Sequence, residues 1–254
     1  MSLLLFVSAL SVQAAAQPAP VEPPKFASPS PVSLPPNAFT LGPIRPEARQ
    51  LAVLIMPDDL YLDLVERSVL AGFDQNSAEF ADLYAENPGL VGALRTELAK
   101  VTRGYFEKHL PSDHDRYARA IGSSFTTDEI EELVRFYGST VGQKMIVAKY
   151  TGMDLSPVIE KLGADPNATL NESDIRALNR SVVAKALPHF DQSDLDALLA
   201  FGRKPVFARL MAFVPVMTAL EVQISAELDP EFDAAIERAA SEVMARFSVG
   251  QTTS

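Results

Sequence analysis

Apolar residues recur every three or four positions from residue 46 onward, and no stretch keeps the apolar–polar alternation of a half-buried strand. The periodicity predicts amphipathic helices near 47–56, 58–74, 77–86, 88–109, 112–122, 127–137, 140–162, 172–187, 192–202, 205–227 and 230–247. A capping side chain before a proline marks helix starts at Asn87-Pro88 and Asp229-Pro230. The predicted fold class is therefore all-α, a helical bundle with two related helix-turn-helix units.

The most apolar helical segment runs from residue 206 to 220 and predicts a buried helix. Its apolar side chains follow a spacing of three or four residues that faces one stripe toward the core, namely Val206, Leu210, Phe213, Met217, Leu220 and Ile224. Pro215 interrupts this segment, and we expect a bend there because a proline ring clashes with the carbonyl four residues earlier.

An internal repeat relates residues 125–146 to residues 190–211, which align without a gap at an offset of 65 positions. Each copy predicts a short helix, a tight turn and a longer helix. The identical pairs are Phe125/Phe190, Leu133/Leu198, Phe136/Phe201 and Val141/Val206, and the pairs matched in chemical class include Glu129/Asp194 and Lys144/Arg209.

Both copies are predicted to begin with a capping box and a hydrophobic staple, which fix the start of a helix through side chains three to five residues apart. The side chains assigned to these roles are Thr126, Glu129, Phe125 and Ile130 in the first copy, and Asp191, Asp194, Phe190 and Leu195 in the second. The next helix starts with Ser139 as its cap in the first copy and with Pro205 at its first position in the second.

The first copy also resembles a known family. The string F-T-x-x-E-[IL]-x-x-L-V-x-F-Y-x-S-x-x-G-Q-K, which runs from Phe125 to Lys144, resembles the signature of the bacterial family called domain of unknown function 2059. The stretch from Glu47 to Val65 is similar to the family's opening helices. The family usually has a proline after the serine, where this chain has Thr140. The resemblance implies an exported, helical, periplasmic protein and implies no activity.

The N-terminal region predicts export. An apolar run at residues 3–12 precedes Ala14-Ala15-Ala16, which is typical of a signal peptide over residues 1–16 that is cleaved before Gln17; an apolar tail is the alternative. Residues 17–46 hold ten of the 19 prolines and predict a proline-rich disordered linker. Residues 47–250 then form an all-helical domain that contains the internal repeat, and the mature chain is expected to lie in the periplasm without a membrane span.

Charge and composition exclude several classes of function. The net charge is −11 and no lysine–arginine cluster occurs, so neither nucleic acid nor an anionic membrane surface is an expected partner. The chain has no cysteine, which excludes thiol catalysis, disulfides and cysteine metal sites.

The repeat carries the candidate binding residues, Phe136, Tyr137, Ser139, Gln143 and Lys144, at its turn and at the start of its second helix. Ser139 stands in a glycine-flanked string that resembles a nucleophile elbow, but no strand precedes it, and a helix cap accounts for it. Gly142, beside this set, is expected to permit close helix approach.

Candidate metal and catalytic groups have simpler interpretations. The alternating oxygen side chains of residues 165–171 resemble a calcium loop but lack its glycine, and they predict a turn. His109, Asp113, His114 and Asp115 surround Pro111, where we expect a helix break and a solvated turn. No metal, cofactor or catalytic residue is therefore predicted.

Three functions follow as hypotheses. The first is a non-catalytic periplasmic interaction or accessory protein with a protein or peptide partner. The second is a carrier of an apolar small ligand, which requires a cavity between helices lined by Phe136, Met145, Phe201 and Phe213. The third is a hydrolase that uses carboxylates or His114, which a cleft bringing His109 or His114 to a buried carboxylate would favour.

Overall fold

The computed structural model of this chain describes residues 43–76, 81–153 and 187–250. The predicted signal peptide, nearly all of the predicted linker and the calcium-like segment lie outside these residues. The described elements are helical and confirm the all-α class, with no strand among them. They are α1 (Pro46–Ile55), α2 (Asp58–Asn76), α3 (Ala81–Glu86), α4 (Leu90–Ser124), α5 (Thr127–Tyr137), α6 (Thr140–Gly152), a short 3-10 helix (Leu187–His189), α7 (Gln192–Gly202) and α8 (Pro205–Gly250).

The chain divides into two compact units, where the sequence had predicted one helical domain over residues 47–250. The first unit takes its described residues from 1–60, 111–154 and 171–224, and it contains both copies of the repeat. The second unit takes its described residues from 61–110 and 225–254. The division falls within α2, α4 and α8, each of which contributes residues to both units.

The core of the first unit joins α1 to the repeat. Helix α1 packs against α5, which also contacts α6, and α6 contacts α7. The predicted apolar stripe of α8 is buried along its whole length, from Val206 to Ile224, as expected. The largest enclosed side chains include Ile130, Leu133 and Met145, each of which is 0% exposed.

The second unit has its own apolar core. Leu90, Leu94 and Val243 are buried at its centre, surrounded by the partly buried Phe73, Tyr84, Ala93, Ala240, Met244 and Phe247. Phe232 packs on Tyr105 and Phe106 with ring centroids 5.1 and 5.2 Å away. This unit therefore depends on aromatic and aliphatic packing between α4 and the C-terminal part of α8.

Three proline-based helix boundaries were wrong. Helix α4 continues through Pro111, and α8 continues through Pro230. Pro111 is exposed, so water can bind the carbonyl that its ring leaves unpaired, and the helix tolerates it. Helix α4 begins at Leu90 and not after Asn87, because Gly89 turns the chain with a φ of 92°.

The N-terminal end of the folded region also differs from the predicted linker boundary. Helix α1 begins at Pro46, and Arg45 precedes it as the N-cap residue. The guanidinium of Arg45 donates to the carbonyls of Gly122 (3.2 Å) and Phe125 (3.0 Å) and to the hydroxyl of Thr127 (2.8 Å). These bonds satisfy carbonyls at the C-terminal end of α4, so the last residues of the predicted linker are part of the fold.

Candidate functional site

Both predicted capping boxes are present. The hydroxyl of Thr126 accepts from the backbone N–H of Glu129, and the Glu129 carboxylate accepts from the backbone N–H of Thr126 at 2.8 Å. Asp191 and Asp194 repeat this exchange at the start of α7, with distances of 2.9 and 3.1 Å. The backbone hydrogen bond from Thr126, above all, holds the pKa of Glu129 below its usual value.

The turn between α5 and α6 engages four of the five predicted binding residues. The hydroxyl of Ser139 caps α6 by accepting from the Gly142 N–H at 3.2 Å, and it donates to the Phe136 carbonyl at 2.6 Å. The amide of Gln143 donates to the Tyr137 carbonyl at 2.6 Å. Within the described part of the chain these polar groups therefore bind the backbone of their own turn.

Gly142 permits the close approach expected of it. A Cβ atom at this position would overlap the Phe136 carbonyl oxygen and would lie 2.7 Å from the Tyr137 Cα. Both atoms are backbone, so they cannot move aside as the end of a flexible side chain would. The turn between α5 and α6 therefore requires glycine here, although the second copy has Phe207 at the aligned position.

The two copies contact each other through aligned positions. Lys144 donates to Asp194 at 2.5 Å, while Arg209 donates to Glu129 at 3.3 Å. The two ion pairs correspond to each other in the alignment, because Lys144 aligns with Arg209 and Asp194 aligns with Glu129 at the offset of 65 residues. Phe136 and Phe201, aligned with each other, stack with ring centroids 3.6 Å apart and planes 5° apart. The hydrogen bond that Lys144 donates to the Asp194 carboxylate raises the pKa of Lys144.

A cavity of about 40 Å³ lies within the first unit. Its half-buried lining residues Ile55, Lys149 and Glu221 place part of its wall at the protein surface. The walls come from α1, α4, α5, α6 and α8 and are mostly apolar, lined by Leu51, Ile55, Met56, Tyr117, Ile121, Phe125, Leu133, Tyr137, Lys149, Tyr150, Leu210, Phe213, Met217 and Glu221.

Lys149 is half-buried on α6 and lines the cavity wall. It follows the buried Met145 by four residues and precedes the buried Met153 by four, so it lies on the inward stripe of the helix. Its ammonium lies 4.7 Å from the ring centroid of Tyr150 and has no hydrogen bond or ion pair among the described residues. Desolvation lowers the pKa of Lys149 to about 8. Lys149 was not among the residues predicted from the sequence, although its position four residues from Met145 and from Met153 indicated it.

Tyrosine hydroxyls supply the other polar groups of the wall. Tyr150 donates to the Ile55 carbonyl at 3.2 Å, and Tyr117 donates to the Glu221 carboxylate at 3.4 Å. The Tyr137 hydroxyl is buried and has no hydrogen-bond partner in the part of the chain that the structure describes. Burial raises the pKa of Tyr137, so this hydroxyl stays neutral and can donate.

The cavity differs from the one that the carrier hypothesis predicted. Of the four side chains expected to line it, Phe213 does, whereas Phe136 and Phe201 stack on each other and Met145 is enclosed elsewhere in the core. Among the five predicted binding residues, Tyr137 is the one that lines the cavity. The sequence placed an apolar site near the repeat but assigned it mostly to side chains that hold the repeat together.

His114 and His109 each lie near a carboxylate that is exposed. The buried His114 donates from Nε2 to the Met56 carbonyl at 2.8 Å, and the nearby Asp58 carboxylate, 3.7 Å away, is 63% exposed. In the second unit, His109 lies 3.9 Å from the carboxylate of Glu231, which is 59% exposed. The described residues contain no cluster of three side chains suited to a metal ion.

Comparison with known proteins identifies one segment of the chain. Within the described residues, no helix combines the length and apolarity that crossing a bilayer requires. No curated protein and no solved structure is significantly similar to the chain. Residues 114–163 match the family described as "Uncharacterized protein conserved in bacteria (DUF2059)". This segment includes Tyr137 and Lys149 of the cavity wall. The resemblance read from the sequence is therefore confirmed: residues 114–163 carry the segment typical of this uncharacterized bacterial family.

Proposed function

We propose that this protein is exported to the periplasm and binds a small apolar ligand there, in the cavity of its first unit, without catalysing a reaction. The observation that carries the proposal is the cavity itself. Binding sites for small molecules are mostly apolar enclosures with a few polar groups that converge on the ligand. The wall described above has this composition, with Lys149, Tyr137 and Glu221 among aliphatic and aromatic side chains.

The energetic cost of the polar groups supports a role in binding. A buried hydroxyl without a partner and a desolvated ammonium each destabilise the fold, whereas apolar residues of similar size would fill the same positions without that cost. Tyr137 and Lys149 both carry such a cost within the cavity wall. Buried polar groups without partners are more common at functional sites than elsewhere in proteins. Their presence here therefore supports a ligand that binds to them.

A non-catalytic role is supported by how the acidic and imidazole groups are used. Glu129 and Asp194 complete helix caps and ion pairs, and His114 is bound to a backbone carbonyl. Each of these groups has a structural role that accounts for its position. The interaction with a protein or peptide partner stays a second prediction.

Export is supported by the N-terminal sequence alone. The apolar residues 3–12 and the small residues Ala14 and Ala16 fit cleavage before Gln17. N-terminal sequencing of the protein from an envelope fraction is expected to begin at Gln17. A chain that keeps Met1 and remains with the cytoplasmic fraction would contradict this part of the proposal.

Native mass spectrometry tests ligand binding in the protein as it occurs in cells. Protein purified gently from the envelope is expected to carry a small-molecule adduct that is lost on denaturation. A Leu210→Phe variant fills the cavity wall and is expected to lose the adduct, whereas Leu198→Phe introduces the same ring at a buried position outside the wall and keeps it. Wild-type protein whose native mass equals that of its chain would contradict the proposal.

A further inference from the structure

We infer that the cavity binds a short-chain monocarboxylate, with the carboxylate beside Lys149 and Tyr137 and the alkyl chain against the apolar wall. This inference rests on the proposed function, because it names the class of ligand for the same cavity. It is carried by the position of an ammonium and a hydroxyl in one apolar wall, neither of which has a hydrogen bond or ion pair among the described residues.

The cationic side chain in the wall favours an anionic ligand. Among the described lining residues, Lys149 is the cationic one, and no described carboxylate forms an ion pair with it. The acidic residue of the wall, Glu221, instead accepts a hydrogen bond from Tyr117. An anion that enters the cavity therefore meets an ammonium whose attraction is not already used by an ion pair and is only weakly screened by water.

The number of donors favours a carboxylate. A carboxylate has two oxygens that accept hydrogen bonds, and the wall offers the ammonium of Lys149 and the hydroxyl of Tyr137. A phosphate would leave its third oxygen without one of these donors. The neutral state of Tyr137 matters here, because a phenolate could not donate.

The size of the cavity limits the ligand. A single water needs about 10–15 Å³ of such space, so a cavity of about 40 Å³ accommodates roughly three groups of that size. The three chain carbons of a short carboxylate fill this space, while the carboxylate lies beside the half-buried Lys149 where the wall reaches the protein surface. Butanoate is therefore a suitable probe, and 1-butanol and butylammonium are its neutral and cationic counterparts.

The inference includes a dependence on pH. The titratable groups that face the cavity are Tyr117 on α4, Tyr137 on α5, Lys149 and Tyr150 on α6, and Glu221 on α8, while α1 contributes apolar residues. Loss of the Lys149 proton removes the attraction for a carboxylate. Butanoate affinity is therefore expected to fall by about fivefold from pH 8 to pH 9, while butanol affinity stays constant.

Titrations of the full chain with these probes, followed by NMR, test the inference. Wild-type protein at pH 7 is expected to bind butanoate at least about tenfold more tightly than 1-butanol, and butylammonium more weakly than either. Lys149→Met is expected to abolish this preference and to retain butanol binding. Tyr137→Phe is expected to weaken butanoate binding a few-fold, and Lys100→Met, at an exposed position of α4, serves as the matched control.

The outcomes separate this inference from the proposed function. Equal affinities for butanoate and butanol, or a preference unchanged by Lys149→Met, would overturn the inference and leave an apolar site in place. Tighter binding of butylammonium than of butanoate would show that Glu221 recognises the ligand, and this result would also overturn the inference. Absence of binding by all three probes would contradict both proposals.

Discussion

At position 149, helix α6 places an ammonium between two buried methionines, each one turn away. Burial of a cation lowers its pKa because the protein solvates the charge less well than water does. Folding therefore costs free energy when Lys149 is protonated, and this cost is absent when Lys149 is neutral. This residue accordingly links the stability of the first unit to pH and to the cavity.

Replacement of Lys149 by methionine is expected to stabilise the protein at pH 7 by about 1–3 kcal/mol, since each unit of pKa shift corresponds to about 1.4 kcal/mol. The pKa of Lys149 is about 8 in the folded chain and near 10.5 in the unfolded chain. The unfolded chain thus binds more protons between these values, and wild-type stability rises with pH there.

Denaturant unfolding at pH 7 and pH 10.5 measures this effect. The difference between wild-type protein and Lys149→Met should narrow at the higher pH, whereas Lys100→Met should resemble wild-type protein at both. A destabilising Lys149→Met at pH 7 would show that the ammonium has a stabilising partner.

Gly142 gives a second prediction at the scale of one residue. Gly142→Ala is expected to destabilise the protein by about 3 kcal/mol, because its methyl group would overlap backbone atoms of Phe136 and Tyr137. Gly104→Ala is the matched control, since a Cβ atom at this helical position meets nothing within 4 Å and alanine favours helix. Thermal unfolding compares the two; equal effects would contradict the close approach.

Among the elements, the C-terminal end of α4 is held by two arginines from distant parts of the chain. Arg45 binds the Gly122 and Phe125 carbonyls, and Arg209 binds the Ser124 carbonyl through two nitrogens at 3.1 and 2.9 Å. The last carbonyls of a helix lack partners within it, so these bonds replace water there. The α4–α5 connection is thereby tied to both α1 and α8.

Loss of the Arg45 guanidinium is expected to destabilise the first unit by about 1.5–3 kcal/mol, the range for hydrogen bonds to charged groups. Arg45→Ala is the test variant, and Arg45→Lys is expected to recover part of the loss because it keeps the charge but not the fork of donors. Removal of residues 17–42 should leave the melting temperature nearly unchanged. A melting temperature unaffected by Arg45→Ala would contradict the role of these bonds.

The caps of α5 predict a dependence on acid. The pKa of Glu129 is lowered in the folded chain, so its contribution is present above the unfolded value near 4.5 and is lost as pH falls through the folded value. Glu129→Gln is therefore expected to cost about 1 kcal/mol at pH 7 and almost nothing near pH 2. Glu131→Gln, at an exposed position of the same helix, is the control. An equal cost at both pH values would contradict this.

Features of these elements that depend on residues close together in the sequence could be predicted, whereas features that depend on distant residues could not. The caps at Thr126, Ser139 and Asp191 were correctly predicted because each depends on residues only three positions apart. Pro111 and Pro230 were misleading because both helices continue through them, and the exposed position of Pro111 lets water bind the carbonyl that its ring leaves unpaired. The role of Arg45 depends on contacts about 80 positions away, which no local pattern reveals.

For the whole molecule, the fold class was predictable and the division into two units was not. Helical periodicity is a local property, whereas the units are assembled from segments that are distant in sequence. The cavity could not be predicted for the same reason, because its wall contains residues from five helices. Of the residues predicted to contact a ligand, Tyr137 and Phe213 line it. Both segments have their predicted capping boxes, and the ion pairs Lys144–Asp194 and Arg209–Glu129 join aligned positions, whereas the relation of the two segments as repeated helix-turn-helix units stays a prediction.

Methyl NMR mapping of butanoate on the full chain tests ligand binding in the cavity most directly. Wild-type protein is expected to show shifts at wall residues such as Leu51, Leu133 and Met217. These shifts should vanish in Leu210→Phe and persist in Leu198→Phe, which carries the same ring elsewhere in the core. Shifts that persist in Leu210→Phe, or that map to residues outside the wall, would contradict binding in this cavity.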